Sequence, residues 1–395
     1  MQHLSGTQTS LLAILSKALF KKEVNIAVSD WKSLFREANF HKVFPIVFDA
    51  SKEYVEDKDL LEKAARFSRR NIATTVTLNY AHAELHRLME KNGIPYVSFK
   101  GLSSSLYYPK PELRNSGDVD FFVKKADFER CEVVLQTAGF VCEEHEGKHA
   151  SYIKDGITLE LHRTLNGMPN NELGEKIRRE LLGDIIETAV CFESGQGKVM
   201  IPDKFHHGMI LLLHTLSHMT GEGFGLRHLC DWAVFDASLT DEEFKALFEE
   251  KLKEYGLFRF ARILSLCGEK YLGSSKKQWH GEADDGMLEE LICDIMASGN
   301  FGKKDADRKS QIKYIADRGE GTVKGGSALR QGVKTIRKKA RLEHKSEPAV
   351  VLDYVKNVLS GKRKPDTAKT LETAAERKAL YSEFHLFEVN KQRIN

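Results

Sequence analysis

SFKGLSSSLYYPKPELRNSGDVDFFVKK, residues 98–125, carries the features that decide the fold. The residues that lead into it, PYVSF (95–99), are apolar and typical of a strand, Lys100 and Gly101 interrupt that strand, and LSSSLYY can begin a helix. The N–H groups at a helix start carry partial positive charge and bind phosphate, and glycine lets a phosphate approach closely. We therefore predict a strand, a glycine turn and a helix that together hold a phosphate. Further donors to it are predicted at Lys100, Ser103, Ser104 and Ser105.

A second strand is predicted after the proline-marked loop YPKPELRNSG. In DVDFFV, the alternating positions are Val119, Phe121 and Val123 on one face and Asp118, Asp120 and Phe122 on the other. Side chains two residues apart in a strand share a face, so both carboxylates project together. Adjacent carboxylates repel unless a cation joins them, and a hard divalent ion bound by carboxylates and substrate phosphates is the usual one. The pattern predicts Asp118 and Asp120 as ligands of Mg²⁺ or Mn²⁺.

The stretch HASYIKDGITLELHR (149–163) predicts a β-hairpin. Asp155-Gly156 is a strong signal for a two-residue turn between alternating strands. In the second strand the two faces carry Ile157, Leu159 and Leu161, and Thr158, Glu160 and His162. Glu160 is therefore a candidate third carboxylate, while His162 on the same face is either a participant in the chemistry or a structural hydrogen-bonding residue.

With these residues in view, the chain resembles the nucleotidyltransferase superfamily typified by DNA polymerase β, and most of all its branch of uncharacterised bacterial nucleotidyltransferases. The motifs that carry the resemblance are Lys100-Gly101, the tyrosine/proline stretch 107–111, Arg114, Asp118-Val119-Asp120 and Glu160-Leu161-His162. It extends through HTLSHMTGEGFGLRHLCDW (214–232) and SGNFGKK (298–304), hence over about residues 40–305. Where the superfamily has Gly-Ser this chain has Gly101-Leu102, which leaves open which hydroxyl contacts a phosphate.

The resemblance implies metal-dependent transfer of a nucleoside monophosphate from an NTP, ATP foremost, to a hydroxyl acceptor with release of pyrophosphate. Residues implied as catalytic and metal-binding are Asp118, Asp120 and Glu160; as nucleotide-binding, Lys100, Gly101, Ser103, Ser104 and Arg114; and as an acceptor pocket, His162, His214, His218, Arg227 and Asp231. Arg114 has a second interpretation as an ion-pair partner of Glu112. Mg²⁺ or Mn²⁺ is the implied cofactor.

The acceptor stays open among a small molecule, a peptide and a protein hydroxyl. Nucleic acid is less favoured, because the chain shows little of the basic and aromatic surface that a duplex or single strand needs. The alternative function is a catalytically degenerate module that only binds a nucleotide or a partner protein. A kinase-like phosphotransferase is disfavoured, since the sequence has neither a Walker A motif nor the HRD and DFG signatures.

The rest of the chain predicts an α+β fold with a small mixed-sheet core flanked by N-terminal and C-terminal helical regions. Helices are expected in LLAILSKALF, in WKSLFREANF after a cap at Asp30, in a long segment from Asp59 to Gly93, and in ADFERCEVVLQ as a crossover. The expected regions are a helical region (1–93), the nucleotidyltransferase core (94–200), a helical acceptor or lid domain (201–300) and a basic helical region (301–395).

Two motifs in the later helical part invite other functions. His214 and His218 stand at i and i+4 on one helix face, but the zincin pattern requires glutamate after the first histidine, where this chain has Thr215. GEGFGL (221–226) follows a helix rather than a strand, so we reject a dinucleotide-binding loop. Packing or an acceptor pocket is the favoured interpretation of the histidines.

Composition sets broad limits on the class of protein. The 395 residues are 41% hydrophobic with a formal net charge of +3, which supports a real core and does not by itself indicate a nucleic-acid binder. Six cysteines are scattered without a CxxC pair, and neither a secretory signal nor a membrane-length apolar run is evident, so the cytoplasm is the expected location. Residues 301–345 carry 14 Lys/Arg against 5 Asp/Glu; without interleaved aromatics, a solvated or flexible segment is favoured over a surface that binds anions.

Overall fold

A five-stranded mixed sheet organises the chain and confirms the predicted α+β class. Its strands are β1 (Tyr96–Phe99), β2 (Val119–Val123), β3 (Val141–His145), β4 (His149–Lys154) and β5 (Ile157–His162), in the spatial order β1-β2-β5-β4-β3. Strands β2 and β5 pair parallel, and every other neighbouring pair in this sheet is antiparallel. The parallel register sets Asp120 opposite Glu160 and Phe122 opposite His162.

The computed structural model describes residues 3–145, 149–304 and 367–392. The chain divides into two compact units, Met1–Asp305 with Ser382–Asn395, and Ala306–Tyr381. Most of the basic stretch 301–345, from residue 305 to residue 345, lies outside the described residues. Among the helices in the described part of the chain, none combines the length and apolar character needed to cross a membrane.

Helices make up most of the remaining described chain, and the predicted N-terminal ones are confirmed. They are α1 (Gly6–Phe20), α2 (Trp31–Phe40), α3 (Phe44–Ser51), α4 (Lys58–Lys91), α5 (Gly101–Ser105), α6 (Phe128–Thr137), α7 (Glu172–Asp184), α8 (Lys204–Met219), α9 (Leu226–Ala237), α10 (Asp241–Phe244), α11 (Glu250–Glu254), α12 (Phe258–Leu272), α13 (Asp285–Ser298) and α14 (Thr367–Ser382). A π-helical segment, Lys245–Glu249, joins α10 to α11. The predicted cap is present, since the Asp30 side chain accepts a hydrogen bond from the Ser33 N–H at 2.9 Å.

The predicted hairpin is confirmed, and a second one was missed. Asp155 (φ 51°) and Gly156 (φ 77°) both adopt the left-handed conformation that two-residue hairpin turns require. A separate two-stranded sheet, β6 (Val190–Ser194) with β7 (Gly197–Ile201), has largely exposed or half-buried side chains, so its sequence lacks a clear apolar alternation. It is attached to the main sheet, where the Met200 N–H donates to the Tyr96 hydroxyl at 3.2 Å.

The main core lies on one face of the sheet, against α4 and α6. Its buried members include Leu78, Leu85 and Met89 of α4, Phe128, Cys131 and Leu135 of α6, and Val119, Phe121, Tyr152, Leu159 and Leu161 of the sheet. The apolar positions predicted from the period-two pattern thus face the core. The other face of β2 and β5, with Asp120, Glu160 and His162, is left for the cavity described below.

We expect Phe121→Ala to destabilise the fold by about 3–5 kcal/mol, because a fully buried ring is removed from a packed core. Denaturant unfolding followed by circular dichroism measures the change. Val133→Ala on α6 is the matched control, since Val133 is 61% exposed and its truncation should change the unfolding free energy by less than about 0.5 kcal/mol. Equal unfolding midpoints for Phe121→Ala and the wild-type chain would contradict this core assignment.

His206, at the start of α8, is expected to make a pH-dependent contribution to the free energy of unfolding. Burial alone would lower the pKa of His206, but Asp203 and Asp184, with carboxylate oxygens 2.9 Å and 3.1 Å from its ring nitrogens, raise that pKa above its ordinary value. A raised pKa in the folded state stabilises the fold below the unfolded pKa, and this stabilisation is lost as the pH rises through the folded pKa. His206→Gln should therefore lose more unfolding free energy relative to wild type at about pH 5.5 than at about pH 9 in urea titrations. A difference that is constant or grows with pH would show that the ion pairs contribute nothing.

Candidate active site

A cavity of about 500 Å³ opens between the polar face of β2 and β5 and the helices α8 and α9. It is lined by every predicted site residue except Ser103 and Ser105, namely Lys100, Gly101, Ser104, Arg114, Asp118, Asp120, Glu160, His162, His214, His218, Arg227 and Asp231. Residues separated by more than a hundred positions in the sequence therefore meet around one space.

The Asp120 carboxylate is the most strongly held group of the site. Its Oδ1 lies 2.9 Å from Lys100 Nζ and 2.6 Å from His162 Nε2. Burial opposes ionisation, yet Lys100 and His162 hold the pKa of Asp120 well below its usual range. The same contact with Asp120, together with Glu160, raises the pKa of His162 against the effect of burial. Asp120 is thus an ionised carboxylate that Lys100 and His162 both contact.

Asp118 lies in a different electrostatic environment from Asp120. It precedes β2 by one residue, and no described side chain hydrogen-bonds to its carboxylate or forms an ion pair with it. Burial, followed by the charges of Asp120 and Glu160, raises the pKa of Asp118 to about 6. Crowded carboxylates without enough counter-charge are a feature of cation-binding sites.

The donor set of this carboxylate cluster fits a hard divalent cation. Ligand atoms of Asp120, Glu160 and His162 all lie within 4.8 Å of one another, and Asp118 adds a further carboxylate to the same cavity. Glu160 Oε2 is 3.4 Å from His162 Nε2, and Glu160 is the least buried of the three. Mg²⁺ and Mn²⁺ favour such oxygen ligands, with the remaining positions filled by water or substrate phosphate.

The turn at Lys100 is strained. Lys100 has φ 59° and ψ −130°, a conformation that costs a non-glycine residue on the order of 1–3 kcal/mol. Hydrogen bonds compensate on both sides of the turn: the Lys100 carbonyl accepts from Ser103 Oγ at 2.8 Å, and Ser98 Oγ donates to the Asp120 carbonyl at 3.0 Å. The turn directs Lys100 Nζ back to Asp120.

The serines after this turn have different partners. Ser103 Oγ donates to the Lys100 carbonyl and Ser105 Oγ to the Leu102 carbonyl, whereas Ser104 Oγ is buried without a partner and Ser104 lines the cavity. Of the serines predicted to contact a phosphate, Ser104 is therefore the one placed to do so. A Cβ added at Gly101 would meet Ser116 Oγ and the Asp118 carbonyl only at 3.6 Å and 3.7 Å, so close packing within the chain does not demand glycine there.

Arg114 pairs with Asp231, so the interpretation that it pairs with Glu112 is wrong. Arg114 Nε and Nη2 donate to the two oxygens of Asp231 at 2.8 Å and 2.7 Å, and the Tyr108 hydroxyl donates to Asp231 Oδ1 at 2.7 Å. A third Arg114 nitrogen, Nη1, donates to Ser116 Oγ at 3.0 Å. Arg114 and Asp231, which are both predicted to bind substrate, thus use most of their hydrogen-bonding groups on each other.

Arg227 remains available to a ligand. Its Nη1 donates to the Asn115 carbonyl at 3.2 Å, its Nε is buried without a partner, and it forms no ion pair with a carboxylate among the described residues. Burial, followed by Arg114, lowers its pKa below the ordinary arginine value. An anionic group in the cavity would supply its missing partner.

Sequence reasoning missed several residues that line the cavity. They are Lys42, Asn71, Thr74, Asn115, Ser116, Gly117, His149, Asn166, Leu211, Ser217, His228, Asn300 and Phe301. His228 immediately follows Arg227, and its ring lies 5.3 Å and 5.1 Å from those of His214 and His218. Asn300 and Phe301 belong to SGNFGKK, a motif of the family resemblance that carries no predicted role. Several of the missed residues stand next to predicted site residues in the sequence, and this adjacency is the signal that could have found them.

The three clustered histidines are held neutral. Burial, followed by the charge of Lys100, lowers the pKa of His218 to about 3 and that of His214 well below the usual range. Burial, followed by His218, does the same for the pKa of His228. Near neutral pH the cluster therefore presents uncharged imidazoles.

Comparison with known proteins identifies a family. The family model of the uncharacterised nucleotidyltransferases matches residues 27–273, a range that includes Lys100, both aspartates, Glu160 and Asp231 but ends before SGNFGKK. No curated protein and no solved structure matches the chain. The matched range covers well over half of the 395 residues and contains the carboxylate cluster. The chain therefore belongs to the uncharacterised nucleotidyltransferase family.

Proposed function

We propose that the protein transfers a nucleoside monophosphate from an NTP, ATP foremost, to a hydroxyl acceptor and releases pyrophosphate, with Mg²⁺ or Mn²⁺ as cofactor. The observation that carries this proposal is the convergence of Asp118, Asp120 and Glu160 in a cavity that also contains Lys100 and Arg227. Carboxylates hold divalent ions and cationic side chains hold phosphates, so both halves of a metal–triphosphate complex have partners. The motifs are similar to those of the DNA polymerase β-type superfamily.

Asp118, Asp120 and Glu160 would hold the metal ions. Bound there, divalent ions supply Lewis-acid stabilisation of the attacking oxygen and of the leaving pyrophosphate. The side chains fit this role because Asp118 has no partner among the described residues and because the long, flexible Lys100 side chain can leave Asp120 when another cation takes its place.

The remaining polar groups bind and orient the nucleotide. Lys100 and the Ser104 hydroxyl lie at the turn where the triphosphate would rest, and Arg227 faces the same space. Arg114 acts mainly by positioning, since Asp231 already takes two of its nitrogens. Fixed donors of this kind stabilise the charge that develops on the phosphate oxygens at little reorganisation cost.

The reaction balances without any further reactant. The acceptor hydroxyl oxygen forms a bond to the α-phosphorus, the bond from that phosphorus to the bridging oxygen breaks, and pyrophosphate leaves with the bonding electrons. Glu160, whose side chain is 25% exposed, would accept the hydroxyl proton. The acceptor lies on the side of His214 and His218, where a small molecule or an inserted peptide or protein side chain fits a cavity of about 500 Å³.

A degenerate nucleotide-binding module is the second candidate. It is favoured by one observation: the Asp120 carboxylate already has two partners within the chain, Lys100 and His162. Such a module would bind NTP and release no pyrophosphate. Measuring binding and turnover on the same preparation separates the two functions.

Asp118→Asn and Asp120→Asn should each reduce label transfer from α-³²P-NTP by more than about a hundredfold, because even the outer partners of metal ligands contribute 10–100-fold. The assay combines the pure chain, Mg²⁺ and cell lysate, and follows both pyrophosphate release and the appearance of label in protein, RNA or small molecules. Circular dichroism verifies the fold of each variant.

Asp59→Asn is the matched control for these two variants. Asp59 is exposed in the first turn of α4, outside the cavity, so this change should leave transfer at the wild-type rate. Full activity in Asp118→Asn would exclude the carboxylate cluster as the reaction centre. NTP binding without pyrophosphate release by the wild-type chain would establish the degenerate module instead.

Ser104→Ala should weaken NTP binding by about 2- to 10-fold, which corresponds to the loss of one hydrogen bond to a bound group. Ser105→Ala is the matched control, because the Ser105 hydroxyl donates to the Leu102 carbonyl and Ser105 does not line the cavity. Isothermal titration with NTP and Mg²⁺ compares the two variants. Equal affinities for both would remove Ser104 from the phosphate site.

A further inference from the structure

Three histidines converge on one side of the cavity, apart from the carboxylate cluster. His214 and His218 lie one turn apart on α8, and His228 comes from the first turn of α9. The ring centroids are 4.5 Å, 5.3 Å and 5.1 Å apart, and each residue offers a ring nitrogen within 4.8 Å of the other two. Two helices thus bring three imidazole nitrogen donors together.

His228 has an unmet need for a partner. It is 3% exposed, and both of its ring nitrogens are buried without a hydrogen bond. Such an orphaned polar group costs on the order of 1–3 kcal/mol unless something else satisfies it. The rings of His214 and His218 lie beside the His228 ring, and both residues are only half-buried and line the cavity. A small ligand in the cavity can therefore reach the space between the three rings.

Aromatic packing alone explains another histidine of α8 but does not explain this cluster. His207 also has two buried ring nitrogens without partners, but its ring stacks on Tyr107 at 5.0 Å and meets the Phe235 ring at 5.3 Å, both apolar neighbours. The rings nearest to His228 are two further imidazoles at 5.3 Å and 5.1 Å, while the rings of Phe301 and Phe224 lie farther off at 6.1 Å and 6.3 Å; Phe301 also packs on His218 at 4.7 Å. A cluster of nitrogen donors, unlike a ring stack, has the composition of a metal site.

We propose that His214, His218 and His228 form a second metal site for a dication that prefers imidazole ligands, such as Zn²⁺ or Co²⁺. Tetrahedral coordination at about 2.0–2.1 Å places ligand nitrogens about 3.4 Å apart, which small side-chain rotations from the present separations achieve. Hard Mg²⁺ favours the oxygens of the carboxylate cluster, so the two sites select different metals. The presence of Thr215 excludes only the zincin pattern, because here the third ligand comes from α9.

Three protein ligands leave a fourth position on the metal, as in zinc sites that bind a substrate or water. All three histidines line the cavity, so that position faces it. An oxygen of the acceptor, either a hydroxyl or an anionic group, is the chemical class that would fill it. The existence of the site does not rest on the proposed nucleotidyl transfer, because metal binding is measured without nucleotide.

The test uses the untagged full chain, stripped with a chelator and titrated with Co²⁺ in excess Mg²⁺, which competes with Co²⁺ for the oxygen ligands of the carboxylate cluster. We expect one equivalent of Co²⁺ with the visible absorption bands of tetrahedral coordination. Elemental analysis after dialysis against Zn²⁺ should give the same stoichiometry. His228→Gln should weaken binding by at least about tenfold, and His218→Gln, which changes a half-buried residue, gives the same test if the first variant fails to fold.

Two controls decide where any bound metal lies. His207→Gln removes an unpartnered histidine from the same helix, and Glu160→Gln disrupts the carboxylate cluster; both should retain the Co²⁺ spectrum. The proposal is overturned if the wild-type chain shows no tetrahedral Co²⁺ spectrum. It is equally overturned if Glu160→Gln abolishes the spectrum while His228→Gln and His218→Gln keep it.

Discussion

The buried Arg114–Asp231 pair is the interaction on which the cavity depends. Asp231, 4% exposed, accepts two hydrogen bonds from the Arg114 guanidinium and one from the Tyr108 hydroxyl. Removing one partner from such a buried pair costs on the order of 3–5 kcal/mol, because the remaining charge is left uncompensated. The pair fixes the loop before β2 to α9. The strand that carries the aspartates and the helix that carries Arg227 and His228 are therefore held in a fixed relative position.

A second constraint acts within the sheet, where the two faces of β2 serve different purposes. Phe121 is buried in the core, while Asp120 on the opposite face contacts Lys100 and His162. Phe99 stacks on Phe122 at 4.4 Å and packs edge-on to His162 at 5.1 Å, so apolar rings lie beside the polar groups. These rings limit the access of water to this part of the site and hold the His162 ring in place. Because less water surrounds them, the electrostatic contacts at the site are stronger.

Local patterns predicted which side chains share a face of one strand, but they did not indicate which strands are neighbours. The period of two placed Asp118 with Asp120 and Glu160 with His162, and Asp155-Gly156 predicted the hairpin, since each of these depends on neighbours along the chain. The meeting of Asp120 and Glu160 on adjacent strands joins residues 40 positions apart, and only the family resemblance implied it. The Arg114–Asp231 pair joins residues 117 positions apart, so no local pattern could indicate it. Likewise, the different roles of Ser103 and Ser104 depend on how a short helix is rotated against the sheet, which the triple-serine sequence does not specify.

The distribution of charge in the cavity restricts what can bind there. Asp118 is an anion without a paired cation, and Arg227 is a cation without a paired carboxylate among the described residues. A free phosphate would meet the carboxylates, and a bare cation would meet Lys100 and Arg227, so each alone gains only part of the available interactions. A ligand that carries both signs in fixed order, as a metal–triphosphate complex does, satisfies both sets of groups at once. Charge complementarity thus favours the joint binding of metal and nucleotide over the separate binding of either.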